Sequence, residues 1–172
     1  CPDIVLIEGR PARYVEVHHQ LMDAIGDCIP HDKPGSIDEV PCWLIGRERK
    51  RENAEAIAGN IKRILLDRGF DAIRCSIGIA PNEFLAKTAS DMRKPDGLTV
   101  LEMADLPHAL HALDLRDFCG IGPSMERRLH RAGLLVPGRA FGWQWTVCGR
   151  EVFSIQARSE AGRLILNYRT RS

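Results

Sequence analysis

Apolar residues recur at helical spacing over residues 11–26, where Tyr14, Val17, Leu21, Met22 and Ile25 share a face and Pro11 suits the first turn. The same period is clearer over 53–68: Ile57, Ala58, Ile61, Ile64 and Leu65 form one stripe, and Gly69 supplies a helix stop. Between and around these helices the pattern changes to that of strands. Residues 3–8 are a short β-branched run, and 36–45 are strand-like. Pro41 cannot donate to a ladder, so a bulge or an early end of the pairing is expected there. Residues 73–79 alternate strictly, predicting Ile73, Cys75, Ile77 and Ile79 on one side. A helix over 82–93 capped by Asn82, a strand over 98–102 and a short helix near 105–113 follow. Strands alternating with helices predict an α/β or α+β layer, helices packed on a sheet.

From Leu115 strand signals vanish and helix-forming segments flank a glycine-rich turn, placing a boundary near residue 114. The expected organisation is a domain over 1–114, a small helical unit over 115–147 and an unassigned tail over 148–172. In that tail 152–158 and 163–169 read as the arms of a hairpin.

Composition narrows the classes of function. The 172 residues are 44% hydrophobic and 27% charged, enough for one sizeable core and too apolar for general disorder. A net charge of +1 gives no global attraction to a polyanion, so any nucleic-acid contact must be local. The mixed-sign run Arg47 to Glu52 reads as a solvated loop and helix start. None of the six cysteines forms a C-x-x-C pair, and no histidine pair completes a zinc signature. They read as reduced thiols of a cytoplasmic protein, and no apolar run has the length of a membrane span. His18, His19 and His31 read as surface or boundary residues. The start at Cys1-Pro2, without methionine, suggests a fragment.

Three motifs are candidates for chemistry. Ser36-Ile37-Asp38-Glu39 puts two carboxylates side by side. At a strand end both can face a magnesium ion, which takes one or two carboxylates together with substrate phosphates. On its own the dipeptide reads as an exposed acidic turn. The second motif, Gly78 to Gly97, is a strand, a turn, a helix and a second turn. Lys87 and Lys94 lie seven residues apart and share a face if the helix persists. Lys94 either complements the helix dipole or reaches for triphosphate oxygens. The third, Gly120-Ile121-Gly122, is a turn whose amides can hold a phosphate oxygen. Around it stand Arg116, Arg127, Arg128, Arg131 and Arg139, against Asp117 and Glu126 alone. A tight helix–helix turn with no ligand is the alternative there.

Taken in order, the three motifs resemble the Y-family (translesion) DNA polymerases of the DinB and UmuC/ImpB/MucB/SamB type, from Cys1 to about Trp143. Ser36 to Glu39 is similar to the family's S-[IL]-D-E palm motif. Gly78 to Gly97 follows its long G-[IV]-[AS]-x-N block nearly throughout, and Gly120 to Gly122 matches the G-[IV]-G of its helix-hairpin-helix thumb. The resemblance implies a partial palm followed by a thumb, acting on primer-template DNA and dNTP in translesion synthesis and repair. It makes Asp38 and Glu39 catalytic magnesium ligands of a two-metal site and Lys94 a triphosphate contact. Gly120, Ile121, Gly122, Arg127 and Arg128 become DNA-backbone contacts, with a monovalent cation at the hairpin. Sliding-clamp and SOS or recombinase partners are implied for the full-length protein, and no membrane.

The sequence departs from the family in four places. Val40-Pro41-Cys42-Trp43 follows the carboxylates in place of Ala-Tyr-Leu-Asp. Glu83 replaces a basic residue, Met125-Glu126 replaces Thr-Ala, and nothing matches beyond about Val147. The family's first metal-binding aspartate, most of the fingers and the little finger have no counterpart in these residues, so the isolated chain is expected to be inactive. The competing reading is a non-catalytic DNA-binding or accessory module. Another palm-type transferase, such as a cyclase, is disfavoured by the Gly78–Gly97 block.

Overall fold

The computed structural model describes Val5, residues 8–133 and the backbone of a strand over 163–170. The elements run α1 (Pro11–Gly26), β1 (Glu39–Trp43), α2 (Arg51–Asp67), β2 (Ile73–Ala80), α3 (Glu83–Met92), β3 (Leu98–Val100), α4 (Pro123–Arg131) and β4 (Arg163–Thr170). The protein is thus a mixed α/β layer with helices on a small sheet. Most of the 3–8 run lies outside the described residues, and Val5 and Glu8 belong to no strand or helix.

The helices match their periodicity closely. α2 buries Ala54, Ala58, Ile61 and Leu65 and ends where Gly69 takes φ +82°, with the Phe70 amide donating back to the Leu65 carbonyl at 2.9 Å. Asn82 caps α3, its side-chain oxygen accepting from the Leu85 amide at 2.9 Å. The helix expected near 105–113 is instead two 3-10 turns, Met103–Asp105 and His108–Leu110. Pro107 separates them and removes the amide a continuous helix needs.

The sheet order is β1-β4-β2-β3. β4 runs antiparallel to both neighbours, from Glu39↔Asn167 to Trp43↔Arg163 on one side and from Ile73↔Thr170 to Ala80↔Arg163 on the other. β3 pairs parallel with β2. Two sequence expectations change here. The 163–169 segment is a strand, but both its edges are taken over 163–167, so no edge remains there for a hairpin arm. The 152–158 arm lies outside the described residues. Pro41 neither bulges nor ends β1, because β1 is the edge strand. Its carbonyl accepts from the Asp32 amide at 2.9 Å on the side away from β4, where a missing N–H costs the ladder nothing.

β2 is buried on both faces from Cys75 to Ala80, although its alternation predicts one buried side. Cys75, Ile77 and Ile79 join a core with α1, α2 and β1 that includes Leu21, Ile25, Val40, Cys42 and Ile61. The opposite face lies against α3. A β-carbon on Gly78 would stand 2.0 Å from the Ala86 carbonyl oxygen, so only glycine admits the helix at this distance. A second core joins Ala80 and α3 to Leu110, Leu115, Phe118, Ile121 and Leu129, and therefore extends across residue 114.

Candidate functional site

The Ser36–Glu39 segment is a closed turn. The Gly35 amide donates to the Glu39 carbonyl at 2.9 Å, and Ser36 bridges antiparallel to Glu39. The Ser36 hydroxyl donates to Asp38 Oδ1 at 2.6 Å, fixing that carboxylate, and His18 Nδ1 lies 2.9 Å from the Ile37 carbonyl, tying the turn to α1. Asp38 and Glu39 are both half-buried and stand where the chain enters β1.

Glu39 does not face solvent alone. Lys87 Nζ on α3 lies 2.8 Å from Glu39 Oε2 and 3.9 Å from Asp91 Oδ2, and Lys94 pairs with Asp91 Oδ1. An alternating chain of charges, Glu39–Lys87–Asp91–Lys94, therefore joins two of the residues singled out by sequence. α3 ends at Met92, so Lys94 is beyond the helix and its dipole cap is not what locates it. Asp91 does that. At 16% exposure Lys87 is well shielded from water, which strengthens its pairing relative to a surface ion pair.

A groove opens beside Asp91 of this chain of charges. A cavity of about 370 Å³ is lined by Thr88, Asp91, Met92, Leu113, Arg116 and Asp117. Phe118 stacks on Phe84 of α3 with ring centroids 6.1 Å apart, fastening the turn to the sheet layer. The Cys119 thiol is raised mainly by desolvation; Lys87 pulls it down while Glu39 and Asp91 push it up. Gly120 takes φ +84° and Gly122 precedes Pro123 at the start of α4. Ile121 is buried and its amide donates to the Phe118 carbonyl at 3.1 Å, so it serves the turn itself. Arg116, Arg127 and Arg128 are exposed, with Arg127 within 3.1 Å of the Ser124 hydroxyl. Arg139 lies outside the described residues. The segment before the turn is a 3-10 turn over Leu115–Asp117, so α4 is the one full helix of the hairpin among the described residues.

Sequence reasoning placed Lys87 on the face of Lys94 but assigned it no role; it named Ser36 only as part of its motif and read His18 as a surface or boundary residue. Lys87 carried a local signal, since four residues separate it from Asp91 on α3. The pairing of Lys87 with Glu39 had none. Among the described residues no three His, Cys, Asp or Glu side chains are grouped to hold a metal. Asp38 and Glu39 are of the donor type that magnesium takes, one or two carboxylates together with water and substrate phosphate.

The small mixed sheet with helices packed on it matches the palm-like domains of Y-family polymerase structures. The chain belongs to the impB/mucB/samB family, whose profile matches residues 1–91, and the IMS family HHH motif matches residues 104–134. It is 34% identical over 143 residues to a DNA polymerase IV of Moorella thermoacetica, covering 83% of this chain and 35% of that protein. A DNA polymerase IV of Shewanella baltica is 37% identical over 139 residues, covering 80% of this chain and 38% of that one. Among solved structures, DinB from Sulfolobus solfataricus superposes with a TM-score of 0.63 at 26% identity, covering 78% of this chain and 39% of its own. The insertion ternary complex of Dbh DNA polymerase gives 0.65 at 27%, with the same coverage of each chain. The chain thus spans between 30% and 40% of the length of these curated relatives.

Proposed function

We propose that this chain is the part of a translesion DNA polymerase that carries one half of its metal site, its triphosphate lysine and its DNA-backbone hairpin. The observation that supports this most is the ion-pair chain from Glu39 through Lys87 and Asp91 to Lys94, beside a groove that Asp91 and Arg116 both line. In this reading Asp38 and Glu39 hold magnesium, with Ser36 orienting Asp38 and Lys87 orienting Glu39. Magnesium bound there supplies activation of the primer 3′-hydroxyl and neutralisation of the departing pyrophosphate in an in-line displacement. Lys94 meets the triphosphate. Gly120 and Gly122 present amides to a DNA phosphate with Ile121 anchoring the turn between them, and Arg127 and Arg128 add charge. A monovalent cation at the hairpin and clamp or recombinase partners belong to the same reading.

Because backbone contacts dominate, binding to primer-template DNA is expected to be independent of sequence and to weaken steeply with salt. Fluorescence anisotropy across a salt series tests this. Replacing Arg127 and Arg128 together by alanine should flatten the slope of log affinity against log salt by roughly two. A slope unchanged by the double substitution would remove the hairpin from the DNA interface. In a primer-extension assay with magnesium, the 172-residue polypeptide alone is expected to add no nucleotide. Robust extension that disappears in Asp38→Ala would show that these residues suffice for catalysis.

A further inference from the structure

Lys62 lies on α2 among residues whose sequence pattern reads as the solvated face of an amphipathic helix. Its ammonium group is nonetheless turned inward, onto three acceptors in two other segments. It donates to the Cys75 carbonyl at 2.6 Å, the Asp96 carbonyl at 2.7 Å and Asp96 Oδ1 at 2.7 Å. An ammonium has three protons, so this set can use its whole donor capacity. The side chain is 24% exposed, and two of the acceptors are backbone carbonyls, so this is more than a solvated charge pair.

The segment it holds is the turn from Arg93 to Gly97 between α3 and β3. Asp96 is at φ +64°, the one described non-glycine residue in the left-handed region. A β-carbon on Gly97 would stand 1.9 Å from the Arg93 carbonyl oxygen, so the chain folds back hard against the end of α3. The Gly97 carbonyl then accepts from the Ile77 amide at 2.9 Å, and β3 begins at Leu98. Lys94 leads into this turn. The backbone that carries Lys94 is therefore tied at its far side to β2 by the Ile77–Gly97 bond and to α2 and β2 by Lys62.

We infer that Lys62 is a positioning residue for Lys94: by pinning the Asp96 carbonyl and carboxylate to the Cys75 carbonyl of β2, it fixes the turn from which Lys94 reaches a nucleotide triphosphate. The inference rests on the triphosphate reading of Lys94 given above. Lys62 touches no substrate; it acts through the turn.

The test is the affinity of the 172-residue chain for magnesium–dATP, measured by isothermal titration calorimetry, alongside each variant's thermal unfolding. Lys94→Ala is expected to weaken binding about tenfold, the size of one lost charge-assisted contact, and Lys62→Met about fivefold. Because both act on one contact, the double variant should be no weaker than Lys94→Ala. Asp96→Asn keeps a residue that tolerates the left-handed conformation and should weaken binding about twofold. If Lys62→Met has no cooperative thermal transition, Asp96→Asn carries the test. A folded Lys62→Met with unchanged dATP affinity, or losses that add in full to that of Lys94→Ala, would overturn the positioning role and leave Lys94 as a triphosphate contact. No dATP binding by the unaltered chain, or no effect of Lys94→Ala, would remove the triphosphate reading and this inference with it.

Discussion

Cys42 and Cys75 both belong to the main core, and burial pushes both thiols from an ordinary 9.0 up to about 12, with Asp32 adding to the shift at Cys42. Both therefore stay protonated and unreactive at neutral pH. Among the described cysteines Cys119 is exposed and should take up a maleimide first, with Cys42 and Cys75 modified only on unfolding. The shift also fixes a pH dependence. Below pH 9 the thiols are protonated in folded and unfolded chains alike, and their contribution is complete. Between 9 and about 12 the unfolded chain releases protons that the folded chain retains, so stability falls as pH rises. Thermal melts from pH 7 to 11 should show a shallower alkaline decline in the Cys42→Ala/Cys75→Ala variant than in the parent. The candidate site was partly legible at this scale. Asp38, Glu39 and Lys94 stand in motifs a sequence displays, and Asn82 caps its helix as its position predicts. The partners that orient them were not legible. Lys87 meets Glu39 across 48 positions of chain and Lys62 meets Asp96 across 34, distances over which no local pattern operates.

Elements show where the hydrophobic period suffices. α1, α2 and α3 lie within two residues of their expected bounds, because helical hydrogen bonds are local and one apolar stripe identifies the buried face. β2 departs from its pattern for a reason visible at Gly78. A position without a side chain counts as neither polar nor apolar in the alternation, yet here it is where α3 packs closest. Gly78→Ala should separate α3 from β2 and lower stability by at least about 2 kcal/mol, at the severe end for overpacking because backbone atoms block relief. Urea unfolding measures it. A loss below about 0.5 kcal/mol would mean that the helix and strand are not held at this distance. The 3-10 turns over 103–110 and 115–117 mark the opposite limit, since segments this short carry too few apolar repeats to separate a 3-10 from an α-helical period.

For the whole molecule the decisive feature is β4. β1 and β2 are joined through it rather than to each other, so the carboxylate turn and the α3 lysines keep their spacing only while this strand is in place. Leu166 pairs with Val40 on one side and Ile77 on the other. A proline there removes an amide from a strand bonded on both edges, unlike Pro41 at the sheet's rim. Leu166→Pro is expected to abolish the cooperative thermal transition. A protein that still melts cooperatively within a few degrees of the parent would show that the sheet holds together without this strand. The sequence by itself determined the three long helices, the strand β2, the family and the residues of its motifs, because each rests on local periodicity or on a contiguous block. Tertiary structure alone decided that β2 is covered twice, that the 163–170 strand lies inside the sheet and that Lys87 pairs with Glu39 and Lys62 with Asp96. Those outcomes depend on which surfaces meet once the chain is compact, and pairings between distant segments are set by the packing of the whole rather than by the neighbours of either residue.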